Sequence, residues 1–178
     1  MRIVGGRLGG RTLSAPKSQA IRPTADRLRE SLFNILIHAY GDPVSGARVL
    51  DLFAGTGALG LEAISRGAVG ADFVEFRPDS LHALKANIAA LRLQTRTRVF
   101  KKDAIPFVAA LPAGRYDIAF ADPPYGSRML ERVLDSWNAR RFARILAVEH
   151  AASHALPDGA KRKLFGDSAI TIYRADGT

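Results

Sequence analysis

The 178-residue sequence contains no cysteine. That excludes disulfides, a thiolate nucleophile and any cysteine-ligated metal. No apolar stretch approaches the length of a membrane span. The opening Met1-Arg-Ile-Val-Gly-Gly has no apolar signal-peptide segment, so a cytoplasmic protein is expected. Four scattered histidines, His38, His82, His150 and His154, meet no acids at ligand spacing; they read as structural or surface residues, and no metal is expected. Acid is also scarce: 17 Asp+Glu face 26 Lys+Arg, a net charge of +9. Arginine supplies most of the excess, and guanidinium is the better fork for phosphate. A polyanion partner, nucleic acid first, follows from that balance, although a solvated basic surface is the plainer reading. With 47% hydrophobic and 24% charged residues, the chain is an ordinary globular protein with a core for one domain.

Basic charge is concentrated at the front. Arg2, Arg7, Arg11, Lys17, Arg22, Arg27 and Arg29 meet a single acid, Asp26. The Gly-Gly and Gly-Arg steps between Arg2 and Leu13 predict a twisted hairpin or a mobile arm. Pro23-Thr24 starts a helix carrying Leu28, Leu32, Ile35 and Leu36 on one face, and Tyr40-Gly41-Asp42-Pro43 ends it. Residues 1–44 thus read as a basic hairpin-and-helix appendage, followed by a catalytic domain over 45–178. Arg29 reads equally as a solvated helix-face residue or a functional one.

From residue 48 the pattern alternates. Strands are predicted at 48–53, 71–76, 97–100, 116–121 and 145–149. Helices are predicted at 58–66, 78–91, 104–111 and 129–137. Lys161–Phe165 and Ala169–Tyr173, flanking Gly166-Asp167, read as a terminal hairpin. The expected fold is α/β: a doubly wound, mostly parallel seven-stranded sheet, Rossmann-like, with a closing antiparallel hairpin.

Two motifs fall at strand ends, where open α/β sheets bind ligands. The first is Asp51-Leu-Phe-Ala-Gly55-Thr-Gly57-Ala-Leu-Gly60, with Glu75 at the end of the next strand, 20 residues after Gly55. Glycines allow close backbone approach, and the acid suits two ribose hydroxyls. A dinucleotide fold predicts the same pair. Asp51 favours another ligand, because an acid four residues before Gly55 suits an ammonium or sulfonium better than a pyrophosphate. S-adenosylmethionine has both cations and a ribose. Asp103 offers a third acid for an adenine amino group, or an N-cap for the helix after it. Gly57 and Gly60 are also explicable by helix–strand packing alone.

The second motif is Asp122-Pro123-Pro124-Tyr125, after the apolar run 116–121. Consecutive prolines fix φ and forbid helix. A carboxylate and the Pro123 carbonyl can accept from an exocyclic amine, and Tyr125 can stack on its ring. Such bonds orient a nitrogen whose lone pair is otherwise delocalised. The plain alternative is a structural turn with a capping acid.

These motifs together resemble the class I methyltransferases that act on amino nitrogens. Arg22-Pro-Thr-Ala-Asp-Arg-Leu-Arg-Glu-Ser-Leu-Phe-Asn34, preceded by Arg2-Ile-Val-Gly-Gly-Arg and Gly10-Arg-Thr-Leu, more narrowly resembles the bacterial 16S ribosomal RNA guanine-N2 methyltransferases. Gly166-Asp-Ser-Ala-Ile-Thr-Ile-Tyr173 also fits. The resemblance implies methyl transfer from S-adenosylmethionine to one guanine of 16S rRNA, in the small ribosomal subunit or an assembly intermediate. It implies that Asp51, Phe53, Gly55, Gly57, Glu75, Asp103 and Ala104 hold the cofactor. Asp122, Pro123 and Tyr125 would hold the guanine. Arg7, Arg11, Arg22, Thr24 and Arg27 would meet RNA, the Arg22–Thr24 segment closing over the site. A monomer without membrane association is expected. The chain departs from the pattern at Trp137-Asn-Ala-Arg-Arg-Phe-Ala-Arg144, where a glycine-containing turn is expected. Rival readings are an amino methyltransferase of DNA adenine or protein glutamine, a nicotinamide oxidoreductase, and a nonenzymatic RNA-binding protein on the same fold.

Overall fold

A computed structural model describes residues 1–17 and 23–175, without the side chains of residues 23 and 24. Helix α1 (Pro23–Ala39) precedes the regular alternation of β1 (Arg48–Leu52), α2 (Ala58–Ser65), β2 (Gly70–Val74) and α3 (Pro78–Ala90). Then come β3 (Thr97–Phe100), α4 (Ala104–Ala109), β4 (Tyr116–Ala121), α5 (Met129–Arg140) and β5 (Ala143–Ala151). β6 (Lys161–Phe165) and β7 (Ser168–Arg174) close the chain as a hairpin. One seven-stranded sheet results, in the order β3-β2-β1-β4-β5-β7-β6. β1 to β5 pair in parallel; β7 is antiparallel to β5 and β6 to β7.

Strand alternation sorts the side chains into two layers. Val49, Phe73, Ile118, Phe120, Ala147 and Ile172 face a core completed by α1, α2 and α3. Leu50, Leu52, Val74, Ala119, Leu146 and Val148 face α4 and α5. Both faces are covered, which explains the near-continuous apolar strands. Ile3 and Leu13 of the N-terminal segment, with Leu28, Leu32, Phe33 and Leu36 of α1, pack in the first core rather than apart from it. Residues 1–13 form a loop closed by an antiparallel bridge between Arg2 and Thr12.

Helix α5 runs three residues beyond the expected Trp137, and β5 begins two residues before Ile145. Between them no glycine supplies the left-handed turn. Arg141 adopts it instead, at φ 46 and ψ 53, a conformation costing an L-residue roughly 1–2 kcal/mol. Its N–H donates to Trp137 O at 2.7 Å, and its guanidinium lies 4.0 Å from the Trp137 ring centroid.

The sheet reverses direction of growth at β1, between β2 and β4. Val74 pairs with Leu52, Leu52 with Ala121, and Ala121 with Val148. The next residue on each strand is Glu75, Phe53, Asp122 and Glu149. These four therefore sit in one row at the carboxyl edge of the sheet, about 4.8 Å apart from strand to strand.

Candidate active site

Asp51 is the penultimate residue of β1 and points toward α2. It is buried, and its Oδ2 accepts from Gly60 N at 2.9 Å. Burial pushes its carboxyl up to about 8; the Gly60 N–H opposes that shift and the charge of Glu75 adds to it. A carboxyl so placed gains from any cation brought beside it. Phe53 follows with φ 57, a left-handed conformation unusual for a bulky residue. That bend turns the chain out of the sheet and sets the Phe53 ring on the wall of both cavities described below.

The glycines of the loop do different work. Gly55 has φ +58, and a Cβ built on it meets nothing within 4 Å. It borders a cavity of about 460 Å³, which an added methyl group would enter. Gly57 is buried, and its Cβ would lie 2.4 Å from Leu84 Cδ1. Gly60 would meet Phe73 Cε1 at 2.5 Å. The absence of side chains at these two positions serves packing against α3 and β2, and neither is on the wall of this cavity or of the one described next.

Glu75 is 4% exposed and ties the loop to β2. Oε1 accepts from Gly55 N, and Oε2 from Phe76 N and Arg77 N, each at 2.9 Å. Oε1 keeps acceptor capacity for a hydroxyl. Asp103 is the N-cap of α4, its Oδ1 accepting from Ile105 N at 3.0 Å. Capping therefore accounts for one of its oxygens. Glu75, Asp103 and Ala104 line a second cavity of about 410 Å³, together with Asp122, Pro123 and Tyr125.

The two cavities share Phe53, Arg77, Asp122 and Glu149. The Asp51 cavity and the Asp122 turn thus open on one rim, a direct consequence of β1 and β4 being neighbours. Tyr125 is held from the other side of the site. Its hydroxyl lies 2.5 Å from Ser168 Oγ at the start of β7 and donates to Glu149 Oε1 at 3.4 Å. Sequence reasoning did not single out Glu149, Ser168, Arg77 or Phe76. Glu149 was legible as the acid at the end of an apolar strand expected over 145–149. Phe76 announced itself as an aromatic beside Glu75, and it is exposed in the second cavity. Ser168 carried no signal, because only the hairpin brings it there.

Of the predicted RNA contacts, Arg7, Arg11 and Arg27 are exposed and line neither cavity. Arg11 Nη2 donates to Ala90 O at 3.1 Å, at the end of α3. Arg22 and the Thr24 side chain lie outside the described residues. Arg29 is not solvent-facing: it is 3% exposed and donates to Glu62 Oε1 at 3.0 Å and to Asp26 Oδ1 at 3.0 Å. Its guanidinium also bonds Arg2 O. Glu62, fully buried on α2, accepts in addition from Val4 N, Gly5 N and Arg66 Nε, each at 2.9 Å. This ion cluster fastens the N-terminal arm and α1 to the helix that begins at the glycine loop. Among the described residues, no group of three or more His, Cys, Asp or Glu side chains is placed to hold a metal ion, and no helix is long and apolar enough to cross a membrane.

Residues 1–174 match the family described as conserved hypothetical protein 95. The chain belongs to this family. Ribosomal RNA small subunit methyltransferase D of Escherichia coli K12 is 35% identical over 99% of this chain and 90% of its own length. A solved structure of the yhhF protein of Escherichia coli covers 100% of this chain and 99% of its own, with a TM-score of 0.83 and 33% identity. The Thermus thermophilus 16S rRNA N2 G1207 methyltransferase (RsmC), solved with AdoMet and guanosine, covers 98% of this chain and 49% of its own. At 20% identity and a TM-score of 0.70, that likeness is one of fold: the doubly wound methyltransferase sheet. The relatives named here match the basic arm and α1 as well as the sheet, so the family's footprint includes the front of the chain.

Proposed function

We propose that this protein is a 16S rRNA methyltransferase that transfers a methyl group from S-adenosylmethionine to the exocyclic N2 of one guanine in the small ribosomal subunit. The observation that carries the reading is the shared wall: Asp122 borders both the Asp51 cavity and the Glu75 cavity. The residues present fit the donor. Asp51 is a buried carboxyl held by one backbone bond and suited to a neighbouring cation; Gly55 leaves room that a Cβ would fill. Glu75 can accept from ribose hydroxyls, Phe76 offers an aromatic face for adenine, and Asp103 stands beside them.

The bound donor supplies an electrophilic methyl group on a sulfonium. The chain's own residues supply position and charge. Asp122 and the Pro123 carbonyl accept from the guanine amine and fix it, favouring a more tetrahedral nitrogen. Tyr125 stacks on the base, and its hydroxyl contact with Ser168 fixes the ring's orientation. Alignment of this kind accounts for a large part of such a barrier, since well-oriented reactants gain roughly 7–11 kcal/mol over free ones. The exposed arginines of the arm and of α1 dock the RNA phosphates.

The test supplies labelled S-adenosylmethionine with unmethylated small subunits, naked 16S rRNA, DNA and protein in parallel, then maps the modified nucleotide. Label on N2 of a single guanine of 16S rRNA is expected. Label on DNA adenine or on a protein glutamine, or no transfer to any substrate, overturns the reading.

A further inference from the structure

Strand β6 reads Lys161-Arg-Lys-Leu-Phe165 and is the last strand of the sheet, paired only with β7 among the described residues. Its first four residues are exposed. Charged side chains, Lys above all, are one means by which an exposed edge is kept from pairing with another chain. Here three consecutive cations stand on it, Lys161 and Lys163 on the α1 side and Arg162 on the opposite side with Leu164. Arg162 Nη2 donates to Ala152 O at 2.9 Å, and none of the three forms an ion pair with a carboxylate among the described residues. Elsewhere the arginines are commonly committed: Arg29 and Arg66 to Glu62, Arg48 to Asp117, Arg77 to Glu75 and Arg98 to Asp72. Leu164 beside the three is 61% exposed, which guards nothing and leaves apolar area uncovered.

The strand's placement gives these charges a direction. Phe165 pairs with Ser168, which lines the cavity beneath α1, so the upper end of β6 is at the catalytic rim. Lys163 and Lys161 pair with Ile170 and Ile172. They therefore descend from the rim by about 7 and 14 Å at ~3.4 Å per residue. Lys163 Nζ donates to Ser31 Oγ of α1 at 3.0 Å, so the strand lies against the helix whose Arg27 is exposed nearer the rim. Lys163 and Lys161, on one side of the strand and paired with no carboxylate among the described residues, thus form a row leading away from the point where the guanine would enter.

Building on the proposed function, we propose that the outer edge of β6, with Lys161, Arg162 and Lys163, is a docking track for the sugar–phosphate backbone of the rRNA strand flanking the target guanine. It is separate from the basic N-terminal arm. These charges, which no carboxylate among the described residues neutralises, match phosphates along the exposed edge, Leu164 gives a ribose an apolar surface on the Arg162 side, and the rim fixes which nucleotide reaches Asp122.

The test is the full-length triple variant Lys161→Gln, Arg162→Gln, Lys163→Gln, compared with a charge-keeping Lys161→Arg, Lys163→Arg variant. Binding of small-subunit rRNA, KM for the RNA substrate, methyl-donor affinity and melting temperature are measured for each. In the Gln variant, RNA affinity falls roughly tenfold at 0.15 M salt, and the slope of log K against log salt loses about 2–3 of its magnitude. Donor affinity stays within twofold, and the Arg variant keeps wild-type RNA binding. An unchanged salt slope and KM in a folded Gln variant overturn the track while leaving the proposed function standing. Loss confined to assembled subunits, with naked rRNA bound normally, overturns it in favour of a ribosomal-protein contact. If the wild-type chain methylates no RNA, the proposed function itself fails.

Discussion

Under the proposed function, Asp51 makes methyl-donor binding depend on pH, with a sign and size set by its surroundings. Its carboxyl is neutral in the empty site at pH 7, because burial raises its pKa to about 8. A cationic ligand interacts best with the carboxylate, so binding must first remove a proton. That ionisation costs roughly 1.4 kcal/mol at pH 7 and about twice as much at pH 6. Affinity therefore rises about tenfold from pH 6 to 7 and about fivefold from pH 7 to 8. Close to one proton is released per ligand bound at pH 6.5. Calorimetry in two buffers of different ionisation heat measures that proton directly. Asp51→Asn keeps an oxygen for the Gly60 N–H and removes the titration, so its affinity is weaker at pH 8 and flat from pH 6 to 7.5. The same group has a stability consequence of fixed sign. Its folded-state pKa is raised, so its contribution to stability is full below the unfolded carboxyl range, near 3.9, and is lost as pH rises through about 8. The Asn variant is therefore relatively more stable than the parent at pH 9 than at pH 6. A wild-type affinity that is flat between pH 6 and 7.5, or a slope that survives in Asp51→Asn, refutes the assignment of Asp51 as the cation's partner.

Asp122→Ala abolishes methyl transfer while methyl-donor affinity stays within about tenfold, a change of ~1.4 kcal/mol; a variant that loses fold and donor binding together shows Asp122 to be structural. Glu62→Ala leaves Arg29 buried without its principal partner and lowers unfolding free energy by about 3–5 kcal/mol in urea titration, and a loss below ~1 kcal/mol refutes the cluster as the clamp of the arm. Gly57→Ala puts a side chain on a left-handed residue at φ +84 and a methyl group against Leu84, and costs about 1–3 kcal/mol of stability. Gly55→Ala, at φ +58, meets the same left-handed strain but no clash, so it costs less stability than Gly57→Ala and in addition weakens donor binding, because its Cβ points into open space beside the cavity. Identical effects of the two alanines on melting and on binding contradict that division.

The elements that could be read from the sequence are those whose signal is local. Solid apolar runs, Gly55 and Gly57 at a strand-to-helix turn, and the paired prolines after Asp122 fix where chain segments lie and which ends meet ligands. The adjacency of Asp51 and Asp122 followed from the doubly wound order, in which β1 and β4 are neighbours. What escaped the sequence depends on long-range partners. Arg29 looks like a surface residue of a basic helix until Glu62, 33 positions away, is placed against it. Ser168 reaches Tyr125 only because β7 runs antiparallel to β5. Arg141 takes the turn that glycine would occupy because Trp137 offers its guanidinium a flat surface and Asn138 Oδ1 accepts from Nη1 at 2.8 Å. The loop glycines look alike in sequence; only their neighbours separate the one that borders the cavity from the two that pack.

The same long-range contacts explain why the basic front cannot be regarded as a passive tail. Ser14 N donates to Asn87 Oδ1, and Asn87 Nδ2 donates to Ser14 O and to Thr56 O, at 2.7, 3.0 and 2.9 Å. Met1 Sδ receives the Thr56 hydroxyl at 3.4 Å. Thr56 lies between Gly55 and Gly57, so the arm grips the loop assigned to the methyl donor at its centre. Glu62 grips the arm again one turn into the helix that follows. Under the proposed function, an RNA held by Arg7 and Arg11 pulls on a segment joined to the donor loop through hydrogen bonds on both sides. A load that RNA places on the arm is then passed to the donor loop through these bonds, and any coupling between the two affinities is equal in the other direction. The arm's position in the same core as the sheet is what makes that linkage mechanical.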